Sequence, residues 1–154
     1  MDEQINDWLA QEYLLLQKTV DDYDARALTF KAWSVTFSAA GIGLAYQQHQ
    51  PILLLIAALS AVLFWVVEAE WKFQKRSFFG RISEIEKHFA LIGHGSFAPF
   101  QVMSGWRKSL GLKPADEVAK TPGRWEAALF LGIMLPHAVI AAAGLVLFFA
   151  YPPV

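Results

Sequence analysis

The chain has 154 residues, of which 55% are apolar and only 18% charged, against about 25% charged in ordinary soluble domains. Its 13 Lys and Arg nearly balance 14 Asp and Glu, which leaves no dominant basic face for nucleic acid. The absence of cysteine excludes disulfides, thiolate metal sites and cysteine nucleophiles. The charges are unevenly placed: residues 32 to 67 and 127 to 154 carry none, a pattern that predicts an all-α membrane protein with three transmembrane helices.

Residues 1 to 31 read as a cytoplasmic amphipathic helix, with Ile5, Trp8, Leu9, Leu15, Leu16, Val20, Tyr23, Ala27 and Phe30 at helical spacing and no Gly or Pro. This segment is acidic and lacks a basic stretch followed by an apolar one, so no signal peptide is expected. Nothing interrupts the passage into the first charge-free block, and one helix is predicted from about Glu3 to Tyr46. The block itself divides at Gln47–Pro51 into spans at 32–46 and 52–67. Each is somewhat short of the roughly 20 residues a bilayer core requires, so flanking residues such as Lys31 must extend them by snorkelling.

The second helix is expected to continue through a cytoplasmic extension, residues 68 to 90, because Trp71, Phe78, Ile82, Ile85 and Phe89 recur at helical intervals. An antiparallel hairpin centred on Gln48 to Gln50 makes facing residue numbers add to about 99. That register places Lys31 by Glu68, Asp24 by Lys75 and Arg76, and Glu12 by Lys87. Lys18 opposite Arg81 is a mismatch. Glycines and prolines then mark residues 91 to 126 as loop-rich, with a short helix over Ser96–Lys108 that shows Phe97, Phe100, Met103 and Trp106 on one face. That face either lies on the inner leaflet or packs against the cytoplasmic part of this two-helix hairpin. The third span is predicted at 127–151.

All 13 Lys and Arg fall in residues 1 to 31 and 68 to 126. The positive-inside rule then places both segments in the cytoplasm and the C-terminus on the opposite side of the membrane.

Several residues invite function. Ser34, Ser38, Gly41 and Ala45 form a small-residue stripe that suits close helix packing, or, with Thr36, a hydrated pathway in an oligomer. Glu68 and Glu70 stand where the second span meets the cytoplasm, either as a cation-attracting mouth or with Glu68 neutralised by Lys31. Pro136 and His137 lie inside the third span, as a gate, kink or proton-responsive site or as an interhelical hydrogen bond. Lys72, Lys75, Arg76 and Arg81 form a basic juxtamembrane cluster for anionic lipid or a phosphate ligand. His88 and His94 belong to no recognisable catalytic motif, and neither enzyme activity nor a cofactor or metal is expected.

The stretch Tyr13–Phe89, with Tyr23-Asp24-Ala25-Arg26-Ala27-Leu28 before the first span and Trp71-Lys72-Phe73-Gln74-Lys75-Arg76 and Arg81-Ile82-Ser83-Glu84-Ile85-Glu86 after the second, resembles the SLATT group of small bacterial two-transmembrane effectors. That resemblance implies an oligomer that permeabilises the inner membrane in a defence system when a nucleotide or nucleic-acid signal changes. The third span departs from the two-span pattern. The expectation is therefore a homo-oligomeric pore or ion-channel-like effector in contact with membrane lipid, and the alternative is a non-conducting scaffold whose cytoplasmic helices dock a soluble partner.

Overall fold

The computed structural model describes residues 2–93, 98–120 and 123–153. All regular structure among them is helical: α1 (Asp2–Gln47), α2 (Ile52–Lys75), α3 (Ser77–Ile92), α4 (Val102–Ser109), α5 (Ala115–Lys120), α6 (Arg124–Ala128) and α7 (Leu131–Ala150). The chain forms two compact units, one of Met1–Asp24 with Gln74–Pro122 and one of Ala25–Phe73 with Gly123–Val154.

The first unit holds the start of α1 with α3, α4 and α5. Its core is apolar and large: Tyr13, Val20, Phe79, Ile82, Ile85, Phe89 and Met103 are buried, with Phe78 and Phe100 packed against them. Burying a side chain of this size stabilises by about 1.5–3 kcal/mol; of the α1 positions expected on this seam, Leu9, Leu16 and Val20 pack into it, whereas Ile5, Trp8 and Leu15 are exposed and Tyr13 takes the interior instead. The helical run from Ile52 reaches Ile92, just past the expected Phe89; Arg76 alone is a turn residue, between α2 ending at Lys75 and α3 starting at Ser77, and it keeps helical dihedrals of φ −62° and ψ −23°. Gly93 terminates α3 in an extended conformation, where an added Cβ would stand 2.8 Å from Ala98. No larger residue fits that approach.

The short helix expected over Ser96–Lys108 is later and shorter. His94, Ser96 and Phe97 lie outside the described residues, and Phe100, at φ 56°, is left-handed and keeps the helix from starting before Val102. Phe100 packs 4.7 Å from the Phe89 ring and 5.4 Å from Tyr13. The expected face is thereby split: Phe100 and Met103 join the core, while Trp106 stays exposed.

The second unit is built from Ala25 onward in α1 with α2, α6 and α7. His49, at φ 53°, occupies the left-handed position after α1, and the Gln50 amide donates to the Ala45 carbonyl at 2.9 Å. This closes the helix by the usual six-to-one bond. Inside sit mainly small and polar residues, with Ser34, Ser38, Ala45, Ala57, Ala61, Glu68 and His137 buried beside Leu54 and Ile133. Outside, Trp33, Phe37, Leu59, Leu63, Val66, Leu135, Val139 and Phe149 are exposed.

Among the described residues, two helical stretches are long and apolar enough, by length and composition, to cross a membrane: Ile52–Ile92, within which α2 lies, and Leu131–Ala150. The segment at 32–46 is not one of them, because its serines, threonine and glycines dilute its hydropathy. The third apolar stretch is also shorter than expected. Phe130 is extended and separates α6 from α7, leaving a 20-residue helix of about 30 Å.

Candidate functional site

The second unit contains a chain of polar groups drawn from three helices. Lys31 and Ser34, nearly one turn apart on α1, meet Glu68 of α2 and His137 of α7. Lys31 Nζ stands 3.1 Å from Glu68 Oε1, Glu68 Oε2 is 3.0 Å from His137 Nε2, and His137 Nδ1 is 2.9 Å from Ser34 Oγ. Glu68, His137 and Ser34 are at most 1% exposed, whereas Lys31 reaches the surface. Glu68 Oε1 accepts no hydrogen bond, since the ammonium approaches it off the bonding directions, so charge alone matches that oxygen.

The proton logic follows from the donor inventory. Beside an ionised Glu68, His137 Nε2 carries the proton, leaving Nδ1 to accept from the Ser34 hydroxyl. The set then has no net charge, the arrangement that makes burial of an ion pair tolerable. Two further bonds hold the ends of the α7 region: Trp65 Nε1 donates to the Ala128 carbonyl at 2.8 Å, and the Tyr46 hydroxyl donates to the Tyr151 carbonyl at 2.7 Å.

The small-residue stripe serves packing between helices of the same chain. Ser38 Oγ donates to the Ala57 carbonyl at 3.1 Å and lies 3.2 Å from Ser60 Oγ. A Cβ on Gly41 would stand 3.1 Å from that of Ala57, and Ala45 is fully buried. Thr36 points away from the stripe and is exposed, Glu70 is half-buried, and Pro136 is half-buried within α7.

The basic cluster is divided between the units, with Lys72 in the second and Lys75, Arg76 and Arg81 in the first. Lys75 Nζ bonds both oxygens of Asp24 at 2.8 and 3.0 Å. The expected Glu12–Lys87 pair is replaced. Glu12 takes a two-bond grip from Arg81, at 2.7 Å each, and Lys87 turns to Asp116 at 2.6 Å. The reason is reach. Guanidinium matches a carboxylate in a planar fork that an ammonium cannot form, and α5 presents Asp116 to Lys87. The Arg81 fork holds the Glu12 carboxyl below its usual range and raises Arg81 in turn, and Lys87 lowers Asp116.

Sequence reasoning missed a second buried carboxylate. Glu86, 3% exposed, accepts the Tyr13 hydroxyl at 2.8 Å and the backbone amides of Met103 and Ser104 at 2.7 and 3.0 Å. Its negative charge thus sits at the start of α4, where unsatisfied amides favour it. Burial first, and then Glu86, push the Tyr13 hydroxyl up to about 12. Two signals were present: Glu86 interrupts the apolar stripe of Ile82, Ile85 and Phe89, and it faces Tyr13 in the same register of 99.

Compared with protein-family models, curated proteins and solved structures, the chain matches none of them.

Proposed function

We propose that the chain is a multi-pass inner-membrane protein with three spans, the later part of α1 pairing with α2 as an antiparallel hairpin and α7 as the third. In this reading it is a non-conducting scaffold whose charged helices dock a soluble partner in the cytoplasm. The observation that carries the proposal is the closed Lys31–Glu68–His137–Ser34 chain. Polar groups that satisfy one another inside a unit with an apolar exterior fit an anchor in lipid. They engage Glu68, one of the two acids expected at a mouth. The Lys and Arg distribution supports a cytoplasmic N-terminus and a periplasmic C-terminus.

A second reading, the homo-oligomeric pore, has one observation in its favour. Thr36, Ala40 and Gly43 form an exposed small-residue row on α1, and a Cβ on Gly43 would meet nothing within 4 Å. Such a row suits approach of another copy. The resemblance to the SLATT group favours the same reading and a nucleotide or nucleic-acid trigger.

Planar-bilayer recording of the purified chain, together with its particle mass, separates the two. The scaffold predicts a silent bilayer and a stoichiometric soluble protein on co-purification. Unitary conductance from a multi-copy particle would replace it with the pore, and Glu68→Gln would then shift the reversal potential only if Glu68 had left Lys31 and His137.

A further inference from the structure

The first unit encloses a cavity of about 360 Å³ between α3, α4 and α5, within the size range of small-molecule sites. Arg107 lines it and is only 9% exposed. Its Nε donates to the Lys113 carbonyl at 2.6 Å, and its guanidinium carbon lies 5.4 Å from the centre of the Phe79 ring. These two contacts fix the guanidinium plane. Among the described residues, its two terminal nitrogens have no protein acceptor.

The acids on the cavity wall are already engaged. Glu86 holds the Tyr13 hydroxyl and two backbone amides, and Asp116 pairs with Lys87. Arg107 has like-charged company instead, with Arg76 near enough, after burial itself, to disfavour its protonated form. Lys108, exposed and without an acid partner among the described residues, lines the same cavity. The side chain is mostly covered, its terminal nitrogens still reach solvent, and its planar fork is shaped for an oxyanion. Two uncommitted cations match a dianion better than a carboxylate, and Ala90 and Leu112 give the remaining wall an apolar character.

We infer that this cavity binds a phosphate monoester with an apolar body, the phosphate on Arg107 and Lys108 and the body against Ala90 and Leu112. The same chemistry is presented by a free organic phosphate or by the monoester headgroup of phosphatidic acid.

The test is calorimetric titration of phenyl phosphate into the full-length chain in phosphatidylcholine nanodiscs. Saturable 1:1 binding is expected, weakened about tenfold in Arg107→Gln and about threefold in Lys108→Gln, with benzoate binding several-fold more weakly than phenyl phosphate. Lys108 is exposed, so Lys108→Gln keeps the test valid even where Arg107→Gln fails to fold. Unchanged phenyl phosphate binding in nanodiscs containing phosphatidic acid assigns the site to a free ligand, whereas competition assigns it to a headgroup. Either result supports the site. Absence of saturable binding, or equal affinity in Lys108→Gln and the parent, overturns it.

Discussion

The two units solve the burial problem in opposite ways. In the first, Tyr13, Ile82, Ile85 and Phe89 fill the interior, and 20 of the 27 formal charges belong to it. In the second, serines, alanines, a glycine, a glutamate and a histidine share the interior with Leu54 and Ile133, and Phe37, Leu63, Val66, Val139 and Phe149 stand outside. Water explains the first arrangement through the hydrophobic effect. It does not explain the second, where so large an exposed apolar surface marks a site of membrane or protein contact. In lipid the hydrophobic drive between helices vanishes, and close backbone approach and interhelical polar bonds replace it. One sequence therefore carries two packing rules.

The largest expected effect breaks the second rule at its centre. Glu68→Ala leaves Lys31 and His137 facing each other without a carboxylate, and should cost on the order of 3–5 kcal/mol in unfolding from lipid or detergent. Replacing all three residues together by Leu, Met and Leu should recover most of that loss, because the buried charge disappears with its partners. Failure of the triple variant to recover would show that the network does more than neutralise itself. Next is Gly144→Val. A Cβ there already stands 3.0 Å from the Leu54 carbonyl and 3.1 Å from the Ala58 Cβ, so overpacking should cost about 1–3 kcal/mol, while Leu63→Ala on the exterior should change stability by less than about 0.5 kcal/mol.

The first unit responds through water-side chemistry. Tyr13→Phe removes the hydroxyl shared by Glu86, Gln17 and Val102 and should cost about 1–3 kcal/mol. Because the native hydroxyl is raised to about 12, its contribution is full below the ordinary tyrosine range near 10 and is lost as pH climbs toward 12. Absorbance titration should show one of the four tyrosines ionising late, and that late step should vanish in Tyr13→Phe. The smallest effect belongs to Glu12→Gln. Its ion pair with Arg81 is well exposed, so the loss should be about 0–1 kcal/mol and screened by salt. Since Glu12 is lowered in the folded chain, that contribution is present above the ordinary carboxylate range and fades as pH falls through the lowered value.

Much of this architecture was legible from local pattern. The unbroken run from Glu3 to Tyr46 foretold α1 almost to the residue, and the register of 99 foretold Lys31–Glu68 and Asp24–Lys75, because antiparallel pairing carries sequence distance directly into contact. The register missed Glu12–Arg81, because a long guanidinium reaches past its nominal neighbour and Asp116 lies on an element the two-helix rule does not include. The link from Glu68 to His137 was illegible for a related reason. Both residues were singled out, but no periodicity relates α2 to α7 across 69 positions, and only tertiary packing brings them within 3.0 Å. Arg107 left no trace in the sequence either, since a buried cation and a solvated one are spelled alike.

The central claim is that the second unit's apolar exterior faces lipid around a closed polar interior. The chain has no cysteine, so single nitroxide labels at Phe37→Cys, Leu63→Cys and Val139→Cys in nanodiscs report it directly by collision with oxygen and with a water-soluble nickel complex. The account predicts strong oxygen and negligible nickel collision at all three positions, with the reverse at Glu84→Cys in the first unit. Nickel access at Phe37, Leu63 and Val139 equal to that at Glu84 would contradict it.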